Sequence, residues 1–218
     1  VNIQHPIVAV GYGTNSIAYS KDGIVWTGLG KSIFSEQGNG IAWNGKMWIA
    51  LGEGTINTIG YSHDGITWTG LGTSIFTNEG HNVIWTGSKW FAVGEGTNEI
   101  AYSDDGISWT GLGSDIFIVG YDIVYNSNLS RLVAVGYGTN TIAYSNDGIS
   151  WTGLGDTVFT VGSGVAWNGT IFVAVGKGTE SIAYSYDGLS WTKVNGSINI
   201  FDTMGMSVSW TDSKFIAV

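Results

Sequence analysis

The chain has no cysteine, one proline (Pro6) and one arginine (Arg131) among its 218 residues. Without cysteine there is no disulfide framework, no thiolate nucleophile and no cysteine metal site. Only 8 Lys and Arg stand against 17 Asp and Glu, a formal charge of −9. That leaves no basic stripe to displace counterions from nucleic acid, and nothing to draw the chain to an anionic membrane surface. No run of 18 apolar residues is present, so no transmembrane helix and no membrane insertion are expected. No segment shows sustained helical periodicity. The chain begins at Val1 rather than Met, without a signal-peptide apolar region, which reads as a fragment, a processed form or a trimmed chain. The compartment is left open.

What is abundant is glycine, at 35 residues, together with 11 Trp. Glycine beside so many aromatic and β-branched residues predicts many short strands and many turns rather than disorder. The turns repeat. Ser20, Asp22, Gly23 and Trp26 recur as Ser62, Asp64, Gly65 and Trp68. They recur again as Ser103, Asp105, Gly106 and Trp109, as Ser145, Asp147, Gly148 and Trp151, and as Ser185, Asp187, Gly188 and Trp191. The tryptophans are 42, 41, 42 and 40 residues apart, a period in the range of four-stranded propeller blades.

Each repeat reads as four strands, a to d. Strand a (GIAWNG, around Ile41 to Trp43) precedes an Asn-Gly hairpin signal at Asn44-Gly45. Strand b (MWIALG) leads to a Gly-x-Gly-Thr turn, strand c (TIGYS) leads to the Ser-x-Asp-Gly turn, and strand d is ITWTGLG. A link carrying an Ile-Phe pair returns to the next strand a. All eleven Trp fall at three repeated positions, so none is left over as a private ligand platform. The phase is b-c-d, then four complete units, then a and a second b. Pairing Val208–Trp210 with the N-terminal strands would complete a fifth blade and leave Phe215–Val218 surplus.

The segment Ser62-His63-Asp64-Gly65-Ile66-Thr67-Trp68 resembles the Asp-box, or BNR-like, repeat at every defined position. The other four copies, at 20–26, 103–109, 145–151 and 185–191, depart only at the Thr position. The blade layout is similar to propellers of the photosystem II assembly-factor type and to repetitive propellers of bacteria and large viruses. The resemblance implies an all-β, five-bladed β-propeller of WD40-like architecture over residues 1–218, its ring closed by the C-terminal strand joining the N-terminal blade. In that family the box is a structural turn, which assigns the twenty box residues named above to the fold.

Catalytic chemistry finds little support. Sialidases, which share the Asp-box, clamp a carboxylate with three arginines, and Arg131 stands alone. The non-repeated acids Asp115, Asp122, Asp156, Asp202, Asp212, Glu36, Glu79 and Glu99 show no paired spacing and read as solvated loop acids. His5, His63 and His81 lack metal-ligand spacing and read as surface residues. The Gly-x-Gly-Thr turn lacks the phosphate-loop pattern. The expectation is no enzyme, no metal and no cofactor. For ligand contact, the x of Gly-x-Gly-Thr offers Tyr12, Glu53, Glu95, Tyr137 and Lys177, with Asn15, Asn57, Asn98 and Asn140 nearby. Tyr and Asn suit sugars by stacking and amide hydrogen bonds. The reading is a multivalent binding or scaffold module, lectin-like toward glycans. The alternative is a structural or assembly protein that takes a protein partner or exchanges its terminal strand, as a monomer or a strand-exchanged oligomer.

Overall fold

Residues 5–218 are described in the computed structural model, and among them regular structure is strand apart from one 3-10 turn at Ser197–Asn199. The chain divides into two compact units, Val1–Gly113 and Ser114–Val218. The first unit contains β1 (Ile7–Val10), β2 (Ile17–Ser20), β3 (Trp26–Gly28), β4 (Gln37–Trp43), β5 (Trp48–Glu53), β6 (Ile59–Ser62), β7 (Thr69–Gly70), β8 (Glu79–Trp85), β9 (Trp90–Glu95), β10 (Ile100–Ser103) and β11 (Trp109–Gly111). The second contains β12 (Val119–Asn126), β13 (Arg131–Tyr137), β14 (Ile142–Ser145), β15 (Thr152–Gly153), β16 (Val161–Trp167), β17 (Phe172–Lys177), β18 (Ile182–Ser185), β19 (Thr192–Lys193), β20 (Val208–Trp210) and β21 (Phe215–Ala217).

The strand order follows the repeat. In the first unit β1, β2 and β3 pair as b, c and d. Next, β4–β7 and β8–β11 each form an antiparallel a-b-c-d set. In the second unit β12–β15 and β16–β19 do the same. The last strand is not surplus. β20 pairs with β21, Trp210 opposite Phe215, so β21 occupies the b position that the sequence reading gave to Ile7–Val10. The Thr211–Lys214 hairpin, closed by Thr211 N–H donating to Lys214 O at 3.1 Å, costs little loop entropy compared with a partner near the other end of the chain.

Strand b is largely buried on both faces in the four complete sets, as in Trp90 to Gly94 and Leu132 to Gly136. Its side chains meet those of neighbouring sheets. Met47, Ile49 and Leu51 pack with Phe76, Val83, Trp90 and Ala92 in the first unit. Val133, Val135 and Ile142 pack with Phe159, Val165 and Phe172 in the second. The link phenylalanines Phe34, Phe76, Phe117 and Phe159 are the plugs, each 3% exposed or less. At roughly 25 cal/mol per Å2 of apolar area, each such ring stabilises its blade by about 1.5–3 kcal/mol.

Two local details depart from the sequence reading. Asn44-Gly45 is not the centre of its hairpin. Asn44 N–H donates to Met47 O, so Gly45 (φ 93) and Lys46 are the central residues, and Asn44 Oδ1 accepts from the N–H groups of Lys46 and Met47. Gly at the first central position suits the twist of a two-residue hairpin. Each complete strand a also contains a β-bulge, with register shifts between Gly38/Gly40, Gly80/Asn82, Gly120/Asp122 and Gly162/Gly164. The extra residue is Asn39, His81, Tyr121 or Ser163. Asn39 Nδ2 donates to Glu79 Oε1 (2.6 Å) and Gly80 O (3.0 Å) of the next repeat. Ser163 Oγ donates to Gly205 O, also one repeat on.

Candidate functional site

The Ser-x-Asp-Gly turn has the same hydrogen bonding in all five copies. In the second, Gly65 N–H donates to Ser62 Oγ (2.8 Å), and Ile66 and Thr67 N–H donate to Asp64 Oδ1 (2.8 and 2.7 Å). Trp68 Nε1 closes the motif on Gly65 O (3.3 Å). The counterparts of that last bond run from Trp26, Trp109, Trp151 and Trp191 to Gly23, Gly106, Gly148 and Gly188. The positive φ favours glycine in every copy, and at Gly106 the lack of space does so as well. That φ is between 72 and 78 in every copy, and a Cβ on Gly106 would meet Met47 Sδ at 2.8 Å. The backbone N–H groups of Ser150 and Ile149 hold the Asp147 carboxyl down to about 2. At Asp64 desolvation is the largest single effect and raises, but Thr67 and Ile66 N–H and the Ser62 hydroxyl together outweigh it, again giving about 2. The tryptophans that close these turns are less buried than core residues, since strand d lies outermost. Trp26 is 43% exposed, whereas Trp90 on strand b is 0% exposed.

The candidate asparagines are engaged within the chain. Asn15, Asn57, Asn98 and Asn140 accept at Oδ1 from the N–H of Gly30, Gly72, Gly113 and Gly155 at 2.7–2.9 Å. The Nδ2 groups of Asn57, Asn98 and Asn140 donate to Ile33, Ile75 and Ile116 O. Each amide therefore ties the b–c turn to the links beside it. In the fifth copy Glu180 takes the place of asparagine. It accepts from Gly196 N–H (3.0 Å), Ser197 Oγ (2.9 Å) and Ile198 N–H (3.0 Å), which holds its carboxyl below the usual range.

The x residues divide into two kinds. Tyr12 (81% exposed), Tyr137 (45%) and Lys177 project into solvent, with Lys31 Nζ 5.7 Å from the Tyr12 ring centroid. Glu53 and Glu95 are half-buried and belong to a row of acids. Glu53 pairs directly with Glu79, and Glu79 with Glu95, across β5, β8 and β9. Desolvation, then Glu79, Glu36 and Glu95, push the Glu53 carboxyl up. His81 stands beside the row, its Nε2 3.9 Å from Glu79 Oε2. Burial holds its imidazole below the ordinary value against the pull of Glu79 and Glu95. One ligand atom each from Glu79, His81 and Glu95 lies within 4.8 Å of the others, a spacing that can hold a metal ion.

Four single residues depart from the sequence reading. His81 is not a surface residue: it fills the bulge of β8 with its side chain 15% exposed. Glu79 is a strand residue with its side chain 18% exposed. Glu99 is 2% exposed, at the position where Thr58 and Thr141 place buried hydroxyls beneath the link. Asp122 is also on a strand, accepting from Ile123 N–H (2.8 Å) and Val165 N–H (2.8 Å). Asp115, Asp156, Asp202, Asp212, Glu36, His5 and His63 are exposed. Sequence spacing did not bring Glu79, His81 and Glu95 together, because it takes the β8–β9 pairing and the bulge to do so.

No protein-family model and no curated protein matches the chain. Solved structures do. A chain of the nidogen/laminin complex is similar with a TM-score of 0.68 and 13% identity, covering 97% of this chain and 84% of that one. YCF48 bound to D1 peptide is similar with a TM-score of 0.68 and 16% identity, covering 98% and 71%. The GH74 xyloglucanase of Xanthomonas campestris is similar with a TM-score of 0.67 and 17% identity, covering 95% of this chain but only 33% of that one. The chain thus spans about a third of the length of that hydrolase. At these identities the likeness establishes the fold, an all-β propeller, and nothing of the activity.

Proposed function

We propose that the chain is a non-enzymatic binding module of the Asp-box propeller type, with five blades by the count of its turns, that takes a protein partner on its b–c turns. The observation that carries this is the contrast between frame and tip. The amide-clamped frame is the same at four of the five turns, with Glu180 in place of the amide at the fifth, while the tips are Tyr12, Glu53, Glu95, Tyr137 and Lys177. A repeated sugar ligand would ask for like groups at each turn. Within each unit the tips differ, an aromatic and half-buried acids in the first and an aromatic and a cation in the second, which suits a partner surface that is itself irregular. The asparagines, the other groups suited to sugars, are engaged in the frame. The Asp-box assignment is supported by the common hydrogen bonding of all five turns. The nidogen/laminin and YCF48/D1 structures are complexes with a protein or peptide, which fits the same reading.

A random peptide display library selected on the purified chain tests it. Enriched peptides should bind the wild type and lose about tenfold or more with Tyr12→Ala or Tyr137→Ala, yet bind Ile149→Ser normally. A glycan array that binds through the same tyrosines while the library yields nothing would establish the lectin reading instead. Turnover of chromogenic glycosides, abolished by Glu79→Gln, would overturn the non-enzymatic claim.

A further inference from the structure

We infer that Glu79, His81 and Glu95 form a binding site for a divalent first-row transition-metal ion of the zinc class, set at the open end of the β8–β9 hairpin. The inference is independent of the partner proposed above. Its first support is geometry: a ligand atom from each side chain lies within 4.8 Å of the other two, and Glu79 and His81 are both largely shielded from solvent.

Its second support is how the carboxylates are held. Gln37 Nε2 (2.8 Å) and Asn39 Nδ2 (2.6 Å) both donate to Glu79 Oε1, while it is Glu79 Oε2 that lies beside His81 Nε2. Asn78 Nδ2 donates to Glu95 Oε1 at 3.0 Å. Amides outside the cluster thus fix one oxygen of each acid and orient the side chain, as outer-shell groups do around metal ligands.

Its third support is charge. Glu53, Glu79 and Glu95 face one another on adjacent strands, an arrangement that is destabilising for like charges. Among the described residues no lysine or arginine forms an ion pair with this row, where His81 lies beside Glu79. A bound cation would relieve the repulsion.

The donor set selects the ion. Imidazole nitrogen with two carboxylate oxygens suits zinc and its neighbours, whereas calcium and magnesium take oxygen-only shells. Three protein ligands leave at least one position for water or for a group from outside.

The test is isothermal titration of the metal-free full chain with zinc chloride, paired with thermal melts and with cobalt absorbance as a report of nitrogen and oxygen ligation. One saturable zinc site is expected, with a zinc-dependent rise in melting temperature and little response to calcium. Glu95→Gln and His81→Asn should each weaken zinc by about a hundredfold, Gln37→Ala by about tenfold, and His63→Asn not at all. Glu95→Gln should also melt at or above the metal-free wild type, because it removes one of the opposed charges. The inference is overturned if no saturable site is found at millimolar zinc. It is equally overturned if binding survives Glu95→Gln, or if binding depends on His63 instead.

Discussion

The side-chain amide of Asn140 occupies the place where a Cβ on Gly153 would stand, 2.1 Å from it. The same relation holds between Asn15 and Gly28, Asn57 and Gly70, and Asn98 and Gly111. In the fifth repeat both partners change together: Lys193 replaces the glycine and Glu180 the asparagine. Lys193 Nζ there donates to Thr179 Oγ1 at 3.0 Å. The asparagine clamp and the missing side chain are thus one device.

Gly153→Ala should therefore destabilise the chain by about 1–3 kcal/mol through overpacking. In an Asn140→Ala background the same substitution should cost at least about 1 kcal/mol less, because the clash has gone. Urea melts of the two singles and the double measure the coupling, and additive effects would show that the pair does not interact.

The Asp turns predict acid sensitivity. Asp64 and Asp147 sit at about 2 in the folded chain, below the ordinary carboxylate value, so the folded state holds the charged form. Their contribution is fully present above about pH 4 and is lost as pH falls through about 2. Melting temperature should fall between those limits. In Asp147→Asn, which cannot lose a charge, the fall should be shallower, and an unaltered pH profile would remove the turn from the cause.

Tryptophan cost should track strand position. Trp90→Ala, at a fully buried strand-b site, should cost about 3–5 kcal/mol. Trp26→Ala, at a half-exposed position closing an Asp turn, should cost about 1–2 kcal/mol. Equal losses in denaturant melts would contradict the burial pattern.

Deleting residues 215–218 tests the end of the chain. Phe215 and Ala217 pack with Ala166, Val175 and Val208, and β21 is the ladder partner of β20. The truncated chain should melt several degrees lower. An unchanged melting temperature would instead support ring closure by β20 on an N-terminal strand, as the sequence alone suggested.

The strands, the turns and the a-b-c-d order were legible because their causes are local. A Ser-x-Asp-Gly turn satisfies its own N–H groups within seven residues, and alternation marks the strands around it. The bulges were not legible, since the Gly-x-Gly of Gly38-Asn39-Gly40 looks like any flexible stretch. The Glu53-Glu79-Glu95 row was hidden for another reason: Glu79 and Glu95 meet only through the β8–β9 pairing, and Glu53 joins them only through pairing between strands of different repeats, β5 and β8. The linked change of Asn140/Gly153 to Glu180/Lys193 was visible in the sequence, as covariation among copies of one chain, but its meaning depends on a distance.

The bulge residue differs in kind from the rest of the repeat. The Asp turn and the asparagine clamp each bond inside a single copy, so a duplicated segment of DNA would carry them intact into a new position. Asn39 and Ser163 instead reach into the copy that follows. They are the junctions between successive copies, and a junction must suit whichever neighbour it is given. A lineage that lengthens by copying would keep its Asp turns unchanged and diversify its junctions, in keeping with Asn39, His81, Tyr121 and Ser163 being four different residues at one position of the repeat.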